Sequence, residues 1–160
     1  MTIDELGGYG MEQMDEEAVT KFLTLQSHGV LGLPTENGPY LLPMSYGFDG
    51  NSRLYFWYVV GSQSRKAALS DQATTASFLV YRAEMFHWRS VLLTGTIRRL
   101  PEEDRETLPE SRTPAWRPEV IETASETEAT RLYEFRIDDR TGVRHDLQAP
   151  SYDQRSSRDE

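Results

Sequence analysis

The chain has 160 residues, 38% of them apolar, and carries 26 Asp plus Glu against 17 Lys plus Arg, a net charge of −9. That is enough apolar content for one ordinary core, while the acidic balance and the absence of any basic run longer than two exclude a surface that tracks a nucleic-acid backbone. Zero cysteines exclude disulfides, thiol nucleophiles and iron–sulfur ligation, and the three histidines, His28, His87 and His145, show no paired metal-ligand spacing.

Residues 15–23 read as a helix: Asp15 can cap it, Glu16 and Glu17 suit its positive end, and Val19, Phe22 and Leu23 share a face. The helical segment is expected to reach about residue 27, with Gly29, after His28, as its terminator. Three β-type runs follow at 30–33, 40–48 and 53–60. Glu36-Asn37-Gly38-Pro39 and Asp49-Gly50-Asn51-Ser52 separate them with hairpin chemistry, so an antiparallel meander is expected. Residues 62–70 read as a polar loop feeding a short helix capped by Ser62 or Ser64. Strands at 75–81 and 87–100 come next; Val91, Leu93 and Ile97 mark an inner face and Gly95 a bend or bulge.

Pro101 and the acidic residues after it open a short exposed helix. The Pro, Arg and Ser content of 109–118 predicts irregular chain, 132–137 alternates as a final strand, and 138–142 reads as a turn. One domain over 1–148 is expected, with the polar residues 149–160 as a disordered tail. About six strands with two or three short helices point to a mainly β fold of mostly antiparallel strands, a closed or nearly closed β-barrel rather than a doubly wound sheet.

Ser62-Gln63-Ser64-Arg65-Lys66 is the best candidate for a site. Two hydroxyls, the free N–H groups of a helix start, a guanidinium fork and an ammonium lie within five residues, and each is a ligand for phosphate oxygens. Two cations at a helix N-terminus oppose the dipole unless an anion sits there; a solvated helix start is the alternative. Dinucleotide, phosphate-loop and nucleophile-elbow glycine motifs are absent from the sequence. The carboxylates gather at helix starts and in loops, as on a solvated face. His87 is either catalytic or a packing residue at the barrel edge, and Trp57 and Tyr58 are either packing aromatics or walls for a flat cofactor.

Leu54-Tyr55-Phe56-Trp57-Tyr58, then Gly61 and Ser64-Arg65-Lys66-Ala67, preceded by Pro43-Met44-Ser45-Tyr46 and followed by Trp88-Arg89-Ser90-Val91 and Gly95, form a distributed pattern. Over roughly residues 13–147 it resembles the pyridoxamine 5′-phosphate oxidase-like FMN-binding split-barrel family, most closely its nitroimidazole-resistance-type, or flavin-nucleotide-binding, branch. The resemblance implies a split barrel binding FMN, with Arg65 and Lys66 gripping the phosphate, assisted by Ser64; the local reading adds Ser62. It places Pro43, Met44, Ser45 and Tyr46 along the isoalloxazine ring, Trp57 and Tyr58 at the end of the third strand, and Ser90 beside ring and phosphate with Trp88, Arg89 and Val91 around it. It also implies a homodimer with the flavin at the subunit interface.

Departures qualify what the resemblance carries. The loop between Trp57 and Arg65 is about two residues longer than in the oxidase. The oxidase's substrate-contacting lysine falls near Phe48, and its C-terminal Trp-and-Arg segment has no counterpart. The expectation is therefore an FMN-dependent oxidoreductase acting on a small organic substrate, not the oxidase itself, with no catalytic side chain identified. A flavin carrier or sensor, or a barrel binding deazaflavin or haem, is the alternative.

No apolar stretch approaches the roughly 18 residues of a membrane span, and residues 1–5 lack the basic start of a secretory signal, so a cytoplasmic protein without membrane or nucleic-acid partners is expected. Lys21 and Lys66 are the only lysines, all other basic residues being arginine. An acidic, lysine-poor surface suits a salt-rich, haloarchaeal cytoplasm; an ordinary acidic bacterial protein is the alternative.

Overall fold

The computed structural model describes residue 2 and residues 5–59, 64–105 and 130–146. A short 3-10 turn (Gly7–Tyr9) leads into strand β1 (Met11–Gln13) and helix α1 (Glu16–Leu25). Then come β2 (His28–Leu33), β3 (Tyr40–Ser45), β4 (Gly47–Phe48), β5 (Arg53–Val59), helix α2 (Arg65–Gln72), β6 (Thr75–Ala83), β7 (His87–Arg99), helix α3 (Glu102–Arg105) and β8 (Thr130–Asp146). The eight strands form one sheet in the order β3-β2-β6-β7-β8-β5-β4, with β1 on β8, and every pairing is antiparallel. No helix among the described residues is long and apolar enough to cross a membrane.

The sheet curls because its two ends share one core. Met44 of β3 at one edge and Leu54, Phe56 and Tyr58 of β5 near the other bury their side chains in the same cluster as Phe78, Val91, Leu93 and Phe135. Aromatic contacts cross that space: Tyr46 meets Phe78 edge-on at 5.5 Å between centroids, and Phe56 lies 5.0 Å from Phe78. The result is a half-barrel left open between β3 and the β4–β5 edge. β5 is buried on both faces, with Tyr55, Leu132, Leu100 and Trp57 forming a second, smaller cluster outside, which is why Leu54 to Tyr58 reads as an unbroken apolar run.

α1 forms as its sequence dictates. The Asp15 carboxylate accepts the Ala18 N–H at 2.8 Å, and Val19, Phe22 and Leu23 are buried. Asp15→Ala is expected to cost about 1 kcal/mol of stability, the usual value of such a cap, read as a lower midpoint in urea unfolding.

Four local expectations are corrected. Gly29 does not end α1; Gln26 does, and Gly29 sits within β2, where an added Cβ would come within 2.5 Å of the Phe78 ring. The hairpins β2–β3 and β4–β5 form, but not as one meander, because β3 and β4 lie at opposite edges of the sheet. Tyr46 interrupts the second β-type run, its hydroxyl donating to the Leu23 carbonyl at 2.7 Å. Residues 138–142 are not a turn but the middle of the 17-residue β8. Thr94 pairs with Asp139 and Gly95 with Ile137, so Asp138 is the extra residue of a β-bulge. Turn-prone residues are carried into the strand by pairing with β7, and the bend expected at Gly95 is this bulge. The expected irregular chain at 109–118 and the tail at 149–160 lie outside the described residues.

Candidate functional site

α2 begins at the open side of the half-barrel. Ser64 caps it, accepting the Ala67 N–H at 3.4 Å, and Ala67 and Ser70 anchor it in the core. Ser62, the other candidate cap, lies outside the described residues, as do Gly61 and Gln63. α1 carries Glu16 and Glu17 in its first turn, whereas α2 has no acidic residue there and begins with Arg65 and Lys66. The Arg65 guanidinium lies 5.0 Å over the ring of Tyr40, at the start of edge strand β3. The Lys66 ammonium lies 5.3 Å over the ring of Tyr58, near the end of β5. The cation pair therefore bridges the two sides of the split, and neither cation has an ion-pair partner among the described residues.

Burial pushes the Lys66 ammonium below its ordinary value of 10.5. The folded state thus binds this proton less firmly than the unfolded chain, so charging Lys66 lowers stability near neutrality, and the penalty is relieved as pH rises toward 10.5. In ligand-free protein, wild type is expected to gain in melting temperature relative to Lys66→Met as pH is raised from about 8 to about 10.

Beneath the pair, a hydrogen-bonded tyrosine cluster fixes the floor. The Tyr58 hydroxyl meets Ser70 Oγ at 2.8 Å, its ring lies 4.3 Å from that of Tyr133, and the Tyr133 hydroxyl donates to Asp71 Oδ1 at 2.7 Å. Burial first, then the Asp71 contact, pushes the Tyr133 hydroxyl up to about 12; burial likewise raises those of Tyr46 and Tyr58. These phenols stay protonated at neutral pH.

The remaining candidates divide by face. Met44, Tyr46, Tyr58 and Val91 point into the core, so Met44 and Val91 offer a ligand only backbone groups. Pro43, Ser45, Trp88 and Ser90 alternate with these buried neighbours and face outward. Trp57 packs in the outer cluster, on the opposite face of β5 from Tyr58, so the two do not wall one pocket. β3 is an edge strand, its outer row of backbone N–H and C=O groups facing away from β2, and Pro43, which has no N–H, is tolerated there for that reason. His87 is neither buried nor packed at the edge; it is exposed and pairs with Asp146 Oδ1 at 3.0 Å. Tyr40, Ser70, Asp71 and Tyr133 were not legible as part of this region. Tyr40 lies 25 residues from Arg65 with no local pattern linking them, and only the closure of the sheet brings them together.

The family described as pyridoxamine 5′-phosphate oxidase matches residues 15–144. Among solved structures, the FAD binding protein from Mycobacterium smegmatis is similar over 86% of this chain and 100% of its own, with a TM-score of 0.68 at 14% identity. A FAD-binding protein from Mesorhizobium loti aligns over 84% of this chain and 97% of its own, with a TM-score of 0.67 at 18% identity. A candidate 5-nitroimidazole antibiotic resistance protein from Bacteroides thetaiotaomicron aligns over 84% and 89%, with a TM-score of 0.67 at 13% identity. At these identities the likeness concerns the fold, which is the split barrel. No curated protein matches the chain.

Proposed function

The chain belongs to the family described as pyridoxamine 5′-phosphate oxidase, and on that premise we propose that it is an FMN-binding oxidoreductase, passing a hydride or electrons between a reduced donor and a small organic substrate. The observation that carries this reading is the pair Arg65 and Lys66. They are two cations without ion-pair partners among the described residues, at a helix start without acidic residues, in a chain with a large excess of carboxylates. That donor set fits a phosphate monoester, which takes the guanidinium fork, the ammonium and the free N–H groups of α2 together.

A bound flavin supplies hydride and single-electron transfer at its ring. The chain's own part is to bind and orient. Arg65, Lys66, Ser64 and Ser62 hold the phosphate, the free edge of β3 from Pro43 to Ser45, with Tyr46 just beyond it, offers backbone groups to the ring edge, and Ser90, with Trp88 and Val91 beside it, completes the surroundings. No side chain in this set stands out as an obligatory acid or base, and the hydroxyls of Tyr46 and of Tyr58 beneath the pair are already engaged inside the fold.

Two subunits account for the division of these residues between faces. By register Pro43, Val30, Leu79 and Leu92 form an apolar row across four strands of the outer face, and Leu41 and Tyr81 flank it, 63% and 59% exposed. A homodimer joined on this face would leave Pro43, Ser45, Trp88 and Ser90, which share it, at the subunit interface where the flavin is proposed to lie. Leu92→Asp, at a position 44% exposed in one chain, is expected to give monomers in sedimentation and to weaken flavin retention.

Purified protein is expected to be yellow, to release a flavin of the mass of FMN, and to bleach with a reduced nicotinamide or deazaflavin donor. A colourless protein that takes up no FMN at micromolar concentration in high-salt buffer overturns the reading, and a yellow protein that no donor bleaches is a carrier or sensor. FAD is the second reading, favoured by the two similar structures described as FAD-binding; the released mass separates the two.

A further inference from the structure

The far end of the β6–β7 hairpin, away from the strand end that α2 leads into, holds a second concentration of cations. Register places Arg82 of β6 directly opposite Arg89 of β7, and Arg89 directly opposite Arg144 of β8. These positions are in phase with Val80, Val91 and Gly142, all buried, so three arginines continue the inner face past the end of the packed core. Like charges directly opposite each other in neighbouring strands repel. The outer two are neutralised: Arg82 Nη2 lies 2.8 Å from Glu84 Oε1, and Arg144 donates to Glu12 Oε2 from Nε at 2.9 Å and Nη2 at 2.5 Å. Arg89, between them, has no ion-pair partner among the described residues.

Arg89 also lines a cleft of about 450 Å³, the size of a small-molecule site, between this row and the end of α1. Phe22 and Leu25 supply apolar lining, and Leu25 is left 69% exposed. The other charged groups at the cleft are already engaged, Arg82 with Glu84 and His87 with Asp146. We propose that this cleft binds a small organic anion, a carboxylate or phosphate carried on an apolar ring, with Arg89 as the group that holds the oxyanion. A planar fork takes such a group bidentately, and the apolar lining takes the ring. The cleft adjoins the stretch around Ser90 that the flavin reading uses, but Arg89 lies on the opposite face of β7 from Ser90, and the proposal needs neither Arg65 nor Lys66.

Calorimetric titration of the full chain at low ionic strength with phenyl phosphate and, in parallel, benzoate tests it, with benzyl alcohol and inorganic phosphate as the neutral and ring-free controls. The expected result is saturable binding of phenyl phosphate or benzoate, at least about tenfold tighter than either control, that falls by at least about tenfold in Arg89→Gln. The tighter of the two names the oxyanion. The same isotherm is expected to survive in Arg65→Ala with Lys66→Ala, which separates this cleft from the grip on α2. No Arg89-dependent binding of either compound, or binding that persists in Arg89→Gln and disappears with Arg65 and Lys66, overturns the proposal.

Discussion

Arg65→Ala combined with Lys66→Ala is expected to yield a folded, colourless protein. Each lost charge-assisted hydrogen bond to a phosphate is worth about 1.5–3 kcal/mol, so losing one from each side chain weakens flavin binding by roughly a hundredfold to ten-thousandfold. Folding is expected to be spared. Arg65 is exposed, Lys66 is half-buried at a cost in solvation, and alanine is a good residue for the first turn of α2. The ligand-free melting temperature should therefore stay within about 0.5 kcal/mol equivalent of wild type. Flavin titration followed by fluorescence quenching, alongside thermal unfolding of the same samples, checks both halves. Unchanged flavin affinity in the double variant would remove α2 as the phosphate grip.

Gly95→Ala should produce the largest stability loss of any single-methyl addition considered. The bulge at Asp138 brings the backbone of β8 onto Gly95, so a Cβ there would lie 1.9 Å from the Arg136 carbonyl oxygen and 3.2 Å from Phe135 Cζ. A side chain could swing aside, but a strand carbonyl cannot move without breaking its ladder with β7. The expected cost is at least about 3 kcal/mol, the upper part of the range for overpacking, which for a chain of this size lowers the melting temperature by roughly 10 °C. Gly50→Ala is the matched control. Its glycine has φ +81° in the β4–β5 turn with no atom near the added methyl, so only the left-handed backbone penalty of about 1–2 kcal/mol applies. Equal melting of Gly95→Ala and wild type would mean that β7 and β8 are paired in another register.

Much of the candidate site follows from local chemistry. The Ser64-Arg65-Lys66 step at a helix start is visible because capping and dipole rules act within one turn, and the structure seats both cations at the open edge of the sheet. Gly95 was legible as a break in β7 because a glycine amid β-branched and apolar neighbours needs a reason. What the glycine meets, the Arg136 carbonyl, is 41 residues away and could not be read. Trp57 and Tyr58 invited a common role from their adjacency, yet neighbouring residues on a strand face opposite ways, and each packs in a different cluster.

The arginine row shows the same limit more sharply. Arg82, Arg89 and Arg144 carry no shared motif, and only the registers of β6, β7 and β8 set them side by side. The course of β8 is a further case: Asp138, Asp139 and Gly142 favour a turn by themselves, and pairing along β7 outweighs that preference.

By itself, then, the amino-acid sequence determined the mainly β class, the capped helices, the two tight turns and the basic step that opens α2, because these depend on interactions within a few residues. The open half-barrel, the bulge under Gly95, the fate of the tyrosine hydroxyls and the meeting of Arg65 with Tyr40 were decided only in the tertiary structure. They depend on strand registers between residues far apart in the chain, where burial of the common core outweighs local preference.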